Sequence, residues 1–252
     1  MAKVATNNMP APLADYYSAT IPFVRDAIRK FFPIKFSNEW LDSCIGSARH
    51  PRNEELLDKY FQAPNNLYLT RDGKALRSVL AAMTLEAFGK DYRDYASYLA
   101  MTEVIEDTTI SWDDIWDQSE MRRGGPAMHI AYGLPAALNA SVAAYDYAFH
   151  VFYKNIFGLD EVTNNKILHA LTWDKLHLPV GQAEELYWTD HDINDVTEAQ
   201  YLQETMSRCA FLSFRGDNLA HSRHAIAKFA KPHFAPLFSP RFCQFICASR
   251  AC

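Results

Sequence analysis

The sequence predicts an all-α protein, a single-domain helical bundle around a central cavity, from three observations. Apolar residues recur at helical spacing in almost every segment, no segment alternates as a strand would, and no repeat of about 20–50 residues is present. The 252 residues are 49% hydrophobic and 13% aromatic, which is enough to bury a sizeable core in one domain. Ligand and metal sites in such bundles lie on the inward faces of the helices.

Three of the predicted helices are bounded by residues that favour helix ends. Pro33 ends the first helix, Gly89 ends another, and Thr197 begins the last one. Residues 64–66 (PNN) are predicted as a turn, and residues 124–126 (GGP) as a loop. The predicted helices cover residues 13–32, 37–45, 53–61, 76–88, 95–117, 128–157, 161–187 and 197–214.

Composition and charge argue against several classes of protein. A net charge of −5 does not suit a general nucleic-acid binder. No apolar run approaches about 18 residues, so no membrane span is predicted, and the N-terminus lacks the apolar stretch of a signal peptide. Five cysteines in irregular spacing do not make a disulfide framework. We therefore expect a cytoplasmic protein.

Residues 103–123, EVIEDTTISWDDIWDQSEMRR, are the most informative part of the chain. Seven carboxylates, with no lysine or arginine among them, precede a final pair of arginines. Asp113 and Asp117 lie one helical turn apart, Asp114 and Asp117 are neighbours at i,i+3, and the helix dipole opposes all three near the C-terminal end. This pattern is either a solvated acidic face or a site for a hard cation such as Mg²⁺. The two arginines favour the second interpretation, because guanidinium groups match phosphate oxygens.

The pattern resembles that of the trans-isoprenyl diphosphate synthases, the polyprenyl synthetase family. Five stretches match in order and spacing, over roughly residues 40–214: GKALR (73–77), DDIWD (113–117), RRG (122–124), GQAEE (181–185) and YLQETMSRCAFL (201–212). The resemblance implies the all-α isoprenoid synthase (terpenoid synthase) fold. It also implies a Mg²⁺-dependent prenyltransferase of isoprenoid biosynthesis, which condenses an allylic prenyl diphosphate with isopentenyl diphosphate and releases diphosphate.

The resemblance implies roles for particular residues of this sequence. The residues expected to hold Mg²⁺ are Asp113, Asp114, Asp117 and Glu185. The residues expected to act in catalysis are Asp113, Asp114, Asp117, Arg122, Gln182 and Arg208. The residues expected to contact the two substrates are Lys74, Arg77, Glu106, Arg122, Arg123, Gln182 and Arg208. Among these, Lys74, Arg77 and Arg123 are expected to hold isopentenyl diphosphate.

Several positions depart from the family pattern. Glu106 stands where the family usually has His or Gln, and a carboxylate repels a diphosphate unless it is protonated or metal-bound. Glu185 replaces an aspartate, and Arg208-Cys209 replaces Lys-Thr. Three interpretations therefore stay open: an active prenyltransferase, a class I terpene synthase that cyclises one prenyl diphosphate, and a non-catalytic partner subunit of a complete synthase.

The last segment, residues 215–252, is unlike the rest of the sequence. It holds one carboxylate, Asp217, against four arginines and two lysines, and no second aspartate-rich motif. We expect residues 1–214 to form the helical domain and residues 215–252 a loosely packed basic tail. On this interpretation the chain is a truncated, alternatively spliced or frame-shifted form of a longer synthase. Apolar surface left uncovered would then favour a homodimer or a heterodimer with a complete synthase.

Overall fold

The computed structural model describes residues 11–71, 73–156 and 158–210, and its regular structure is almost entirely helical. The α-helices are α1 (Ala11–Phe31), α2 (Asn38–Ile45), α3 (Glu54–Leu57), α4 (Ala63–Thr70), α5 (Leu76–Ala87), α6 (Ala96–Trp116), α7 (Met128–Tyr132), α8 (Leu134–Tyr153), α9 (Glu161–Asp190) and α10 (Glu198–Thr205). Further helical turns are Tyr92–Tyr95 with 3₁₀ geometry, and Asp58–Gln62 and Met206–Ala210 with π geometry. The strands β1 (Met121–Arg122) and β2 (Gly125–Pro126) pair in an antiparallel hairpin. The all-α prediction is confirmed.

The described residues divide into two compact units. One consists of those within 1–83 and 91–159, and the other of those within 84–90 and 160–252. The predicted boundary at residue 214 and the predicted basic tail lie outside the described residues and stay predictions. Along the described part of the chain, no helix combines the length and the apolar character needed to cross a membrane.

Helix α6 lies at the centre of the first unit, where it packs against α1 and α8. Of its 21 residues 14 are buried, and the buried set includes five carboxylates: Glu103, Glu106, Asp107, Asp113 and Asp114. A buried carboxylate is costly unless a cation or hydrogen-bond donors pair with it. The neighbouring segments must therefore supply positive charge to α6.

The turn predicted at residues 64–66 is wrong, because α4 begins at Ala63 and runs through it. The π turn Asp58–Gln62 joins α3 to α4, so residues 54–70 are helical throughout. Pro64, which has no backbone N–H to donate, lies at one of the first two positions of α4, where the helix changes from π to α geometry. The side chain of Asn65 strengthens the join by donating to the carbonyl of Phe61 at 2.8 Å.

The single helix predicted over residues 128–157 is two helices, α7 and α8. Gly133 separates them with φ of 84°, a conformation that L side chains rarely adopt. Other predicted boundaries are close to those observed. Ser37 caps α2 by accepting from the N–H of Trp40 at 3.1 Å, and Thr197 caps α10 in a capping box with Gln200. Residues 211–214 of the last predicted helix lie outside the described part of the chain.

Candidate functional site

The hairpin at residues 121–126 separates two adjacent arginines. Arg122 lies on β1 and pairs with Gly125 on β2, so Arg123 and Gly124 form a two-residue turn. Both turn residues have positive φ, 50° and 74°, as a type I′ turn requires. The side chains of Arg122 and Arg123 consequently reach different carboxylates on α6.

Arg122 binds the C-terminal end of α6. Its Nε donates to Oδ1 of Asp114 at 2.7 Å, and its Nη2 contacts the same oxygen. The same Nη2 lies 3.6 Å from Oδ2 of Asp113. Asp114 is fully buried, whereas the side chains of Asp113 and Arg122 keep 13% and 20% exposure. Asp113 and the outer part of Arg122 therefore contribute to the partly exposed surface at this end of α6, beside the exposed Asp117.

The hydroxyl of Tyr68 forms a hydrogen bond with the second carboxylate oxygen of Asp114. Its hydroxyl donates to Oδ2 of Asp114 at 2.6 Å and accepts from the backbone N–H of Met128 at 2.8 Å. Burial, and then the adjacent Asp114 carboxylate, raise the pKa of Tyr68, so the hydroxyl keeps its proton. Both oxygens of Asp114 are thus engaged within the protein.

The donors at this end suit Mg²⁺, which takes oxygen ligands and commonly binds through one or two carboxylates, waters and substrate phosphates. Asp113 and Asp117 are one turn apart, and the N–H of Asp117 donates to the carbonyl of Asp113 at 2.8 Å. Within the described residues, no three His, Cys, Asp or Glu side chains converge to form a complete metal site. Of the predicted ligands on α6, Asp113 and Asp117 offer carboxylate oxygens of the kind that a partly hydrated ion takes, and Asp114 binds Arg122 and Tyr68 through its two oxygens.

The side chain of Arg123 contacts a more buried part of α6. Its Nη2 donates to Oδ1 of Asp107 at 2.5 Å, and its Nη1 donates to the carbonyl of Tyr68 at 2.8 Å. Glu103 lies one turn before Asp107 and accepts from the hydroxyl of Ser78 at 3.3 Å. Burial, reinforced by the charge of Asp107, raises the pKa of Glu103 to about 7. Arg123 therefore faces more than one carboxylate.

Arg77 forms an ion pair with Glu106, and both side chains are nearly buried, at 13% and 11% exposure. The other carboxylate oxygen of Glu106, Oε2, is buried without a hydrogen-bond partner. The side chain of Lys74 is exposed, and its backbone carbonyl accepts from the hydroxyl of Tyr17 at 2.6 Å. Arg77, which was expected to hold isopentenyl diphosphate, is thus paired with Glu106, the residue that stands where the family usually has His or Gln.

A small cleft of about 40 Å³ lies beside Arg123 in the first unit. Its polar lining consists largely of charged side chains: Arg25, Arg29, Arg71, Glu103, Asp107 and Arg123. The cleft has room for a few water molecules, and its four arginines give it an excess of positive charge over its two acidic side chains. This charge suits an anionic group.

The remaining predicted residues form a separate cluster within the second unit. Gln182 donates to Oε2 of Glu185 at 3.1 Å and accepts from Nη1 of Arg208 at 3.1 Å. Arg208 also forms ion pairs with Glu185 and, through its Nε at 2.9 Å, with Glu204. The buried Glu204 was not predicted as a site residue. Its position four residues before Arg208 is the spacing of helical neighbours and was visible in the sequence.

Three other residues of the first unit were missed by sequence reasoning. Two of them, Glu103 and Asp107, are four residues apart on α6. Asp107 is seven residues before the predicted Asp114, so helical periodicity places these carboxylates on one face of the helix. That spacing could have identified the carboxylates that receive Arg123. No local signal in the sequence pointed to Tyr68.

Comparison with known proteins agrees with this geometry. The family described as Polyprenyl synthetase matches residues 58–222. A geranylgeranyl diphosphate synthase of Sulfolobus acidocaldarius is 32% identical over 155 residues, which are 61% of this chain and 46% of that protein. A short chain isoprenyl diphosphate synthase of Methanothermobacter thermautotrophicus is 32% identical over 190 residues, 75% of this chain and 54% of that protein. The chain spans about half the length of the curated relatives it matches.

Solved structures show the same fold. The geranylgeranyl pyrophosphate synthetase of the archaeon Geoglobus acetivorans superposes with a TM-score of 0.64 at 21% identity, covering 83% of this chain and 59% of that one. An FPP/GFPP synthase from Zymomonas mobilis gives a TM-score of 0.63 at 18% identity, covering 79% of this chain and 67% of that one. At such identities the likeness establishes the architecture of the helices.

Proposed function

Since this chain belongs to the polyprenyl synthetase family, we propose that it is a Mg²⁺-dependent prenyltransferase. The proposed reaction joins an allylic prenyl diphosphate to isopentenyl diphosphate and releases diphosphate. This proposal rests on the observation that the adjacent Arg122 and Arg123 reach different carboxylates of α6, because two anionic substrates need two separate cationic positions. Their partners Asp114 and Asp107 are seven residues apart, which is about 10 Å along a helix.

The C-terminal end of α6 is the proposed position for the allylic diphosphate. Asp113 and Asp117 would hold Mg²⁺, which when bound would neutralise the phosphate oxygens as a Lewis acid. Asp114 would hold Arg122 in place, and Arg122 would donate hydrogen bonds to the diphosphate. As the bond between the allylic carbon and oxygen breaks, its electron pair leaves with the diphosphate. Arg122 would therefore stabilise the charge that grows in the transition state.

Lys74, Arg77 and Arg123 are the proposed contacts of isopentenyl diphosphate. The cleft beside Arg123 supports this position by the four arginines in its lining, of which Arg123 is one. The double bond of isopentenyl diphosphate would supply the electrons of the new carbon–carbon bond, and transfer of a proton to the released diphosphate would restore a double bond. The residues of this position bind and orient the second substrate.

A second candidate function is favoured by the ion pair of Arg77 with Glu106. Glu106 and Asp107 neutralise Arg77 and Arg123, so the chain's own carboxylates occupy part of the cationic position proposed for isopentenyl diphosphate. A class I terpene synthase of the same fold needs only one diphosphate position and would tolerate this neutralisation. The two functions differ in whether isopentenyl diphosphate is consumed.

Incubation of the purified protein with Mg²⁺ and a labelled allylic diphosphate, with and without isopentenyl diphosphate, tests both candidates. We expect elongated product only when both substrates are present. Release of a cyclic hydrocarbon from the allylic substrate alone would replace the first function by the second. If neither mixture releases diphosphate, both are rejected for this chain.

The Glu106→Gln variant tests the proposed position of the second substrate. Removing a like charge from beside the diphosphate and freeing Arg77 from its carboxylate should lower the KM for isopentenyl diphosphate about tenfold. Glu55→Gln makes the same chemical change on an exposed residue of α3 and should leave the KM unchanged. An unchanged KM in Glu106→Gln would place isopentenyl diphosphate elsewhere.

Helix α8 presents an apolar stripe that supports association with another chain. Leu134, Leu138 and Val142 follow one another at four-residue spacing on α8, and each is at least 40% exposed. Such an apolar stripe supports association with a second copy or with a complete synthase. Light scattering of the purified chain tests this, and a monomer at every concentration would contradict self-association. A cytoplasmic location, the catalytic and substrate-binding roles of Gln182 and Arg208, and a metal-binding role of Glu185 are proposed on family membership.

A further inference from the structure

Tyr68 is a fully buried side chain that contacts both halves of the proposed site. Its hydroxyl bonds to Asp114 and to the N–H of Met128, as described above. Its backbone carbonyl accepts from Nη1 of Arg123. The guanidinium carbons of Arg71 and Arg123 each lie 5.9 Å from the centre of its ring. One residue at the end of α4 thus contacts the acidic helix and the arginine hairpin together.

These contacts differ from those of a tyrosine that only fills the core. Tyr147, for example, donates its hydroxyl to the backbone carbonyl of Phe31, far along the chain from the site residues. The hydroxyl of Tyr68 instead donates to a carboxylate, and that carboxylate binds Arg122 through its other oxygen. A carboxylate fixed through one oxygen has a defined orientation for the other. The position of Arg122 therefore depends on Tyr68 through Asp114.

We propose that Tyr68 is a positioning residue that fixes Arg122 through its hydroxyl and Asp114, and Arg123 through its backbone carbonyl. The proposal deepens the function proposed above, since it assigns the alignment of both cationic positions to a single residue. Each arginine is aligned through a different atom of Tyr68. Substitution of the side chain can therefore disturb one position and leave the other intact.

Steady-state kinetics of Tyr68→Phe tests this separation. Phenylalanine lacks the hydroxyl and keeps the backbone carbonyl, so Asp114 and Arg122 lose their anchor while Arg123 keeps its own. We expect kcat, or kcat/KM for the allylic diphosphate, to fall about tenfold or more, the equivalent of one hydrogen bond to a charged group. The KM for isopentenyl diphosphate should stay within about twofold. General loosening of the core would alter the kinetics of both substrates.

Tyr147→Phe is the matched control, because it removes a hydroxyl of the same kind from another tyrosine that is also buried for the most part. It should leave the kinetics of both substrates unchanged. Equal losses in Tyr68→Phe and Tyr147→Phe, or a loss in Tyr68→Phe that affects both substrates equally, would overturn the proposal. The midpoint of urea unfolding is recorded for each variant to confirm that it folds.

A second measurement does not depend on turnover. Phenylglyoxal modifies exposed guanidinium groups, and mass spectrometry can follow its reaction with Arg122 and Arg123 in the ligand-free protein. Tyr68→Phe should raise the modification rate of Arg122 severalfold and leave that of Arg123 unchanged. If the wild-type chain shows no Mg²⁺-dependent turnover or diphosphate binding, the proposed function fails, and this rate still decides whether Tyr68 positions Arg122.

Asp114→Asn provides the decisive variant if Tyr68→Phe does not fold. The amide preserves the shape of the side chain but cannot accept from both Tyr68 and Arg122 through two carboxylate oxygens. The modification rate of Arg122 should again rise, and that of Arg123 should not. An unchanged rate for Arg122 in the folded variant would show that the chain of contacts from Tyr68 does not hold this arginine.

Discussion

Gly73 lies against Arg123, and the contact leaves no room for a larger residue. A Cβ atom added at Gly73 would be 2.7 Å from Cζ of Arg123 and 2.9 Å from both of its terminal nitrogens. Carbon atoms in favourable contact are about 3.5–4.0 Å apart, so Gly73→Ala must displace the guanidinium by roughly 0.8–1.3 Å. Arg123 has little space to move, because its side chain is only 16% exposed.

The displacement would break contacts whose cost can be estimated. The hydrogen bond from Arg123 to the carbonyl of Tyr68 is 2.8 Å and would lengthen beyond the usual limit of about 3.2 Å. The hydrogen bond to Asp107 would weaken as well, leaving a buried carboxylate poorly paired. Losing one hydrogen bond to a charged group costs about 1.5–3 kcal/mol. We expect Gly73→Ala to lower the free energy of unfolding by about 2–4 kcal/mol.

Urea unfolding of Gly73→Ala and Gly125→Ala measures this cost against a matched control. A Cβ at Gly125 would lie 2.7 Å from Nη2 of Arg71, a partly exposed residue whose Nη1 donates to the backbone carbonyls of Arg122 and Pro126. Gly125→Ala should therefore cost less than Gly73→Ala. Adding Asp107→Asn to Gly73→Ala should give a combined cost smaller than the sum of the single costs, because the two residues share Arg123. Equal costs in both glycine variants, or additive costs in the double variant, would refute the reasoning.

Three further predictions concern stability. The pKa of Glu103, raised by burial to about 7, keeps this carboxyl protonated in the folded protein below that pH, so stability that is complete below the unfolded pKa near 4.5 falls as pH rises through 7. In urea unfolding, this loss should lower the free energy of unfolding of the wild-type chain by about 3 kcal/mol between pH 4 and 8, and Glu103→Gln should lack it. Wild-type and variant free energies that change with pH in parallel would contradict the prediction. In the second unit, Gly181→Ala should destabilise by about 1–3 kcal/mol, because its Cβ would lie 2.9–3.1 Å from Ser207 and from the backbone of Glu204 and Arg208; a gain in the unfolding midpoint would show that helix propensity dominates there. Thr197→Ala should cost about 1 kcal/mol through loss of the capping box, and no change would count against the observed cap.

Local sequence signals were sufficient for most of the helices. The bounds of α6 follow from periodicity, and the start of α10 follows from Thr197, whose side chain binds a backbone N–H three residues later. The hairpin was not predicted, because strands of two residues are too short to show an alternating pattern. The break at Gly133 was visible as Gly-Leu-Pro, but the apolar residues on both sides continued the helical pattern.

The sequence predicted which residues belong to the candidate site, but it predicted few of the contacts between them. The motifs identified Asp113, Arg122 and Arg123 because these residues are close together in the sequence. The contact of Tyr68 with Asp114 joins residues 46 positions apart, and no periodicity relates them. The pairing of Arg77 with Glu106 has the same character, because it depends on how α5 lies beside α6. Long-range polar contacts are a property of packing, and a single sequence does not display them.

The two-residue turn of the hairpin makes the spacing of this segment as important as its composition. Inserting one residue between Arg123 and Gly124 would keep both arginines and every aspartate of α6. It would nevertheless rotate the following strand and change which carboxylate each guanidinium can reach, since neighbouring positions of a strand point to opposite faces. An insertion or deletion in this turn should therefore disturb the site even though it replaces none of the residues that contact α6.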